Sequence, residues 1–142
     1  MSPQNPVSGQ SVSFNGVVVN DGPGSAGAST ARFCIDNANC LTSSTGEVST
    51  HGVPALSAGS SSTFTSSSWT AVAGSHTVYL CADVGQVVAE TNEGDNCNPL
   101  AFTVTISPPA NLNVSGLPAC GTGNYNVTFS WTGNASNWTI DV

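Results

Sequence analysis

A chain of 142 residues has room for one full domain, or for one domain and part of another. It carries one basic side chain, Arg32, against eight acidic ones, a formal net charge of −7. Nucleic-acid backbones and anionic membrane surfaces are held by clustered Lys and Arg, and a membrane helix needs roughly twenty apolar residues in a row, so neither partner nor membrane insertion is expected.

Residues 1–10 are rich in Pro, Ser and Gln and read as a lead-in. The opening Met1-Ser2-Pro3-Gln4-Asn5-Pro6 lacks the basic and apolar regions of a signal peptide, so an export signal is expected upstream unless Met1 was added for expression. From Ser11 to Asn20, Val12, Phe14 and Val18 alternate with other residues, the period of a strand that covers a core with one face. Asn20-Asp21-Gly22-Pro23-Gly24 then turns the chain. Thr30 to Asp36 places Ala31, Phe33 and Ile35 inward and Arg32 outward. Weaker strand signal surrounds Glu47-Val48 and His51-Gly52-Val53, and Pro54-Ala55-Leu56-Ser57-Ala58-Gly59 is a turn with one buried Leu. The Ser/Thr run 60–68 around Phe64 has a linker's composition. Trp69 and the strand from Ser75 follow at hairpin distance, which favours a solvent-facing strand instead.

His76-Thr77-Val78-Tyr79-Leu80-Cys81 and Leu100-Ala101-Phe102-Thr103-Val104-Thr105-Ile106 alternate cleanly. In the second run, Leu100, Phe102, Val104 and Ile106 are expected to point inward. Between the two lies the stretch from Asp83 to Asn96, with four of the eight acidic residues: Asp83, Glu90, Glu93 and Asp95. It is predicted to be a long hairpin loop between antiparallel strands. Nothing in the chain has helical period. About seven short strands at intervals of roughly ten residues predict an all-β sandwich.

At Ile106-Ser107-Pro108-Pro109 two prolines end the last strand and form a stiff linker. Asn111 to Ser115, then Tyr125 to Trp131, then Asn137 to Val142 read as further strands, too few to enclose a sandwich core. The expected division is therefore a complete sandwich over 1–107 and a truncated second β-sandwich segment over 108–142.

Five cysteines in a Ser/Thr-rich chain suggest an oxidising compartment. Five choices of the odd cysteine and three pairings each leave fifteen ways to form two bridges. Proximity and strand parity favour Cys34 with Cys40, across a natural turn, and Cys81 with Cys97, across the base of the acidic loop. Cys120 is then unpaired, its partner expected in the missing part of the second domain. A bridge closing a loop of about fifteen residues contributes roughly 3 kcal/mol in the chain-entropy description.

Three stretches carry a family resemblance: residues 17–27, with Val17-Val18-Val19-Asn20-Asp21-Gly22; Leu56-Ser57-Ala58-Gly59; and Gly74-Ser75-His76-Thr77-Val78 through Asp83 to Glu90-Thr91-Asn92-Glu93-Gly94-Asp95-Asn96. Over about 7–106 the chain resembles the CARDB domain, a cell-adhesion-related module of bacteria and archaea. The resemblance implies a seven-stranded immunoglobulin-like sandwich in an extracellular multidomain protein. The chain departs from that pattern in its cysteines and in a first strand that is short or missing upstream of Gly9. Residues 109–142 are similar to the first half of a fibronectin type III domain, with Trp131 on its second strand and Trp138-Thr139-Ile140-Asp141-Val142 as its third.

The acidic loop is a candidate calcium site. A hard cation takes about six to eight oxygens, and Asp83, Glu90, Glu93 and Asp95, with Asn92 and Asn96, offer several. The competing expectation is that these side chains cap the loop's own amides. Glu90 and Glu93 could be taken for a glycosidase pair, but no aromatic cleft signal accompanies them. His51 and His76 stand apart, with His76 on an apolar face as a structural residue. There is no nucleophile elbow and no zinc-ligand spacing, and without Lys no Lys–Asn crosslink can form. Glycosylation acceptors stand at Asn113, Asn126, Asn134 and Asn137. The expected function is a non-catalytic, extracellular or cell-surface adhesion or spacer module. Its partners would be neighbouring β-sandwich domains of the same polypeptide and a surface glycan or protein. Two alternatives stay open. One is a carbohydrate-binding accessory module of a secreted hydrolase, reading sugars through Trp69 or Tyr79. The other is a filament subunit that exchanges strands at a sheet edge.

Overall fold

The computed structural model describes residues 1–107, and beyond them the backbone of two further strands. The elements are β1 (Ser11–Val12), β2 (Asn15–Val19), β3 (Ser29–Ile35), β4 (Glu47–Val53), β5 (Ser61–Thr65), β6 (Trp69–Thr70), β7 (Gly74–Cys81), β8 (Cys97–Val104), β9 (Ala110–Ser115) and β10 (Thr128–Thr132). The first eight build two facing layers. In one, β2 pairs with β5, and the short pair β1–β6 continues the same two runs after a break. The other layer is a four-stranded antiparallel sheet in the order β4-β3-β7-β8. This is the all-β sandwich that the alternation predicts, with the immunoglobulin-like architecture that the family resemblance implies.

The core lies where the two apolar faces meet. Val12 and Phe14 come from one layer, and Phe33, Ile35, Val78 and Val104 from the other, all buried. Phe14 packs at 5.6 Å on Phe102 and 6.4 Å on Phe33, and Phe33 meets Phe64 edge-on at 5.9 Å. Rings in these tilted and edge-on arrangements gain about 0.5–1.5 kcal/mol per pair beyond the area they bury. Phe64 is thus what fixes the Ser/Thr-rich run as a strand: one ring in the core outweighs a linker-like composition.

Two sequence expectations need correction. The lead-in is structural. Ser2 and Ser13 exchange backbone hydrogen bonds at 2.9 and 3.0 Å, the N–H of Ser8 donates to Thr105 and that of Thr105 to Pro6. Residues 1–8 therefore bridge to both layers, antiparallel to the β1 run and parallel to the end of β8, with Pro6 fully buried between. The composition hid this because Pro and Gln carry no strand period. The second correction concerns β8. Val104 is buried and Phe102 half-buried, yet Leu100 is 53% exposed and Ile106 is exposed as well. Leu100 has the parity of the inward face, but among the described residues no strand of the opposite layer covers it, and a groove lies opposite.

A smaller apolar cluster lies on the outer face of the four-stranded sheet. Cys34 is bonded to Cys40 and Cys81 to Cys97, the pairing that proximity and parity favour. Cys34, Cys40 and Cys81 are buried together, with Leu41, Tyr79 and Val84 packed around them. Cys81 and Cys97 are directly opposite in the β7–β8 register, with Cα atoms 4.1 Å apart, the close spacing of a pair that makes no ladder hydrogen bonds. Arg32 lies alongside. Its Nη1 donates to the Cys40 carbonyl at 3.1 Å, and its Nε sits 3.0 Å from Glu47 Oε2 as an ion pair without a hydrogen bond.

β9 and β10 form an antiparallel pair, Phe129 opposite Val114. The strand expected at Asn137 to Val142, Cys120, and the acceptors at Asn126, Asn134 and Asn137 lie outside the described residues.

Candidate functional site

The acidic stretch is a hairpin loop with Ala82 and Asn96 at its neck, where the Ala82 N–H donates to the Asn96 carbonyl at 2.7 Å, one step beyond the Cys81–Cys97 bridge. Its first carboxylate turns inward. Asp83 is 3% exposed and takes a left-handed backbone, φ 54° at Asp36 and 43° here, a conformation that Asp tolerates better than most residues. Asp83 Oδ1 accepts the Val87 N–H at 3.1 Å, and Oδ2 the Val88 N–H at 2.8 Å. The Val84 N–H meanwhile donates to Thr30 at the start of β3. Both oxygens of Asp83 are thus committed to shaping the first half of the loop.

The second half is tied by its own side chains. Glu93 Oε1 accepts the Glu90 N–H at 2.9 Å and Oε2 the Asn96 amide at 3.2 Å. Asp95 Oδ2 accepts the Asn92 amide at 2.8 Å, while Asn92 Oδ1 accepts the Gly94 N–H. The set Asp83, Glu90, Glu93 and Asp95 does not assemble as one group of ligands, because Asp83 faces the sheet and the other three face solvent. Among the described residues no three His, Cys, Asp or Glu side chains gather as a metal site. The arrangement is the self-capping one.

Across from this loop stands the β2–β3 turn, which Asn20 organises. Its amide donates to Gly24 at 2.8 Å and to Leu56 at 3.0 Å, and its Oδ1 accepts the Gly22 N–H. The two loops face each other over a polar cleft of about 250 Å³, with Asp21, Glu90 and Asp95 among its walls. In the sequence the Asn-Asp-Gly-Pro-Gly turn marks Asp21 only as part of a loop, because its meeting with the hairpin depends on contacts far apart in the chain. The cleft is acidic, open and free of aromatic side chains.

The aromatic candidates for sugar binding lie elsewhere and are occupied. Trp69 packs edge-on to His76 at 5.1 Å and to Phe102 at 5.9 Å, and Tyr79 is packed against the cystines. His76 is half-buried between acceptors: Nδ1 is 2.7 Å from Asp36 Oδ2, and Nε2 is 2.8 Å from the Val72 carbonyl. Asp36 Oδ1 also accepts the Thr77 N–H at 2.8 Å. Burial pushes the Asp36 carboxyl up, but the Thr77 hydrogen bond and His76 outweigh it and hold the group below the usual 3.8. His51 stacks on Phe64 at 5.0 Å and meets the Ser49 hydroxyl at 3.0 Å. Both histidines are engaged within the fold, His76 by Asp36 and Val72 and His51 by Phe64 and Ser49.

A helix-free sandwich, pinned by two disulfides and presenting two polar loops from one end, defines an immunoglobulin-like module. The chain belongs to the CARDB family, whose model matches residues 1–99. Its fold is similar to the CARDB domain of a Pyrococcus furiosus protein solved in complex with di-metal ions, at 19% identity and a TM-score of 0.59, covering 72% of this chain and 86% of that one. It is also similar to a domain assigned to a cell-surface protein of Methanosarcina acetivorans, at 20% identity and a TM-score of 0.56, covering 72% and 84%. No curated protein matches the chain.

Proposed function

We propose that this chain is a non-catalytic adhesion or spacer module of a larger secreted or cell-surface protein. The observation that carries the reading is the stapled hairpin. A bridge directly below the loop, a second bridge beside it, and a carboxylate locking the loop's first half make the acidic tip a fixed feature on a rigid base. Such a base suits presentation of a surface to another macromolecule, since little ordering remains to be done on contact. The cystines fit an oxidising, extracellular setting, and the family is described as cell-adhesion-related. In this reading the segment from 108 belongs to a neighbouring β-sandwich, similar in pattern to a fibronectin type III domain, and the β9–β10 pair supports its β character.

The test is attachment of cells displaying the full parent polypeptide, with and without E90Q/E93Q/D95N. Loss of attachment with an unchanged melting temperature is expected if the tip is the adhesive surface. Full attachment by the triple variant would leave the module as a spacer, and attachment that survives deletion of residues 1–107 would overturn both roles.

A further inference from the structure

The four bridged cysteines are unequal towards solvent. Cys34, Cys40 and Cys81 are 0% exposed. Cys97 is half-buried, and the exposed Asn98 and Pro99 follow it at the neck of the acidic hairpin. A thiol arriving from solution therefore meets the Cys97 side of its bridge, and access helps to decide which sulfur of a disulfide is attacked. The group that such an attack releases is the buried Cys81.

The other bridge lies next to that sulfur. Across the β3–β7 seam Arg32 is opposite Cys81 and Cys34 is opposite Tyr79. The Cys40 sulfur reaches in from the β3–β4 connection, 3.9 Å from the Arg32 carbonyl and 4.0 Å from the Tyr79 carbonyl. Those carbonyls belong to the two opposite pairs, one on each strand, so the sulfur sits over the seam, on the diagonal from Cys34 to Cys81. Cys40 is thereby held between the cysteine it is bonded to and one it is not. Arg32, the chain's single Arg or Lys, lies alongside, its Nη1 donating to the Cys40 carbonyl at 3.1 Å. A cation beside a sulfur favours the thiolate, and Glu47 offsets part of this charge at Nε.

We infer that the two bridges form a switch operated by a low-molecular-weight thiol, with Cys97 as the site it modifies. The thiol, ionised, bonds to the Cys97 sulfur; the Cys81–Cys97 bond breaks and its electron pair leaves on Cys81. The Cys81 thiolate then bonds to the Cys40 sulfur. The Cys34–Cys40 bond breaks in turn, and Cys34 leaves as a thiolate that takes a proton from water. Two disulfides and one thiol enter, and two disulfides and one thiol emerge, so no oxidant or reductant is consumed. The acidic hairpin loses the staple at its neck, while the new Cys40–Cys81 bridge keeps the sheet cross-linked. The exchange does not depend on what the acidic tip binds.

The probe is free cysteine. The full chain, with Cys120→Ser so that the added thiol is the only one present, is incubated folded in millimolar cysteine at about pH 8, where a thiol is partly ionised. Quenching with N-ethylmaleimide and mass mapping of the peptides then locates every sulfur. A cysteine adduct on Cys97 is expected in about tenfold excess over the other three positions, with a new Cys40–Cys81 bridge and maleimide on Cys34. In C34A/C40A the maleimide should move to Cys81. Maleimide on Cys81 in the parent would overturn the relay, and an adduct formed first on Cys34 or Cys40 would overturn the point of entry. Scrambled pairings such as Cys34–Cys97, or no exchange while the protein stays folded, would overturn the switch altogether. The map of the parent decides among these outcomes even if C34A/C40A does not fold.

Discussion

Gly16 lies close against the opposite layer, and Gly16→Ala measures that closeness. A Cβ there would lie 2.7 Å from Leu80 Cδ2, 2.7 Å from Phe33 Cζ and 3.0 Å from Phe64 Cε2. Carbon atoms prefer about 3.5–4.0 Å, so each neighbour must retreat by roughly half an ångström or more. Leu80 can swing towards the open groove. Phe33 cannot, because Phe14, Phe64 and His51 hold its ring on three sides. Overpacking of this kind costs about 1–3 kcal/mol. Stiffening the unfolded chain returns about 0.4–1 kcal/mol, since the backbone at Gly16 is not left-handed. The net loss is about 1–2 kcal/mol, a fall in melting temperature of about 5–15 °C for a domain of this size. Thermal unfolding followed by circular dichroism reads it directly. Gly52→Ala is the control: it also lies in a strand, with nothing within 4 Å of the added carbon, and should melt within a few degrees of the parent. If G16A melts at or above G52A, the close packing of the layers is not what the site demands.

Removing the bridges one at a time should separate them by loop length. C81A/C97A, with a separation of 16, is expected to cost about 3 kcal/mol, and C34A/C40A, with a separation of 6, about 2 kcal/mol, read from urea midpoints. The reverse order would mean that packing around Cys34 outweighs chain entropy. Asp36→Asn keeps a residue that tolerates the positive φ but deletes the charge. The folded carboxyl titrates below 3.8, so its stabilisation is full above that value and is lost as pH falls through the lowered one. The stability gap between parent and D36N should close as pH falls through the lowered carboxyl value; a gap that widens there would contradict the assigned partners. Millimolar calcium is expected to leave the melting temperature unmoved, because Asp83 is engaged by Val87 and Val88. A saturable rise that D83N abolishes would refute this.

Much of the fold is readable because it is local. The period-two runs on either side of the acidic stretch give β7 and β8, and cysteines at matching parity give the bridge between them. What escapes the sequence is non-local. Prolines conceal the lead-in as a partner of both layers, and nothing in its composition announces that Pro6 is buried. Leu100 has the right parity for the core, and only the groove opposite it among the described residues leaves it wet. Asp83 resembles its acidic neighbours in sequence, yet a left-handed turn takes it under the loop. The cleft between the two loops joins stretches some seventy residues apart, and no periodicity reports such a meeting.

The lead-in also decides how the module would carry tension. Residues 1–7 run in the same direction as β8, so a pull applied at the two ends of the described sandwich draws the Val7 segment and Thr105 past each other. The two bonds joining them, from Ser8 to Thr105 and from Thr105 to Pro6, are then sheared together and cannot be unzipped singly. Until they yield, the strands behind them bear no extension, and the length between Cys81 and Cys97 is withheld even afterwards. Under such a load the first eight residues would be the part to give way first, and the cystines would limit how far the domain could then lengthen.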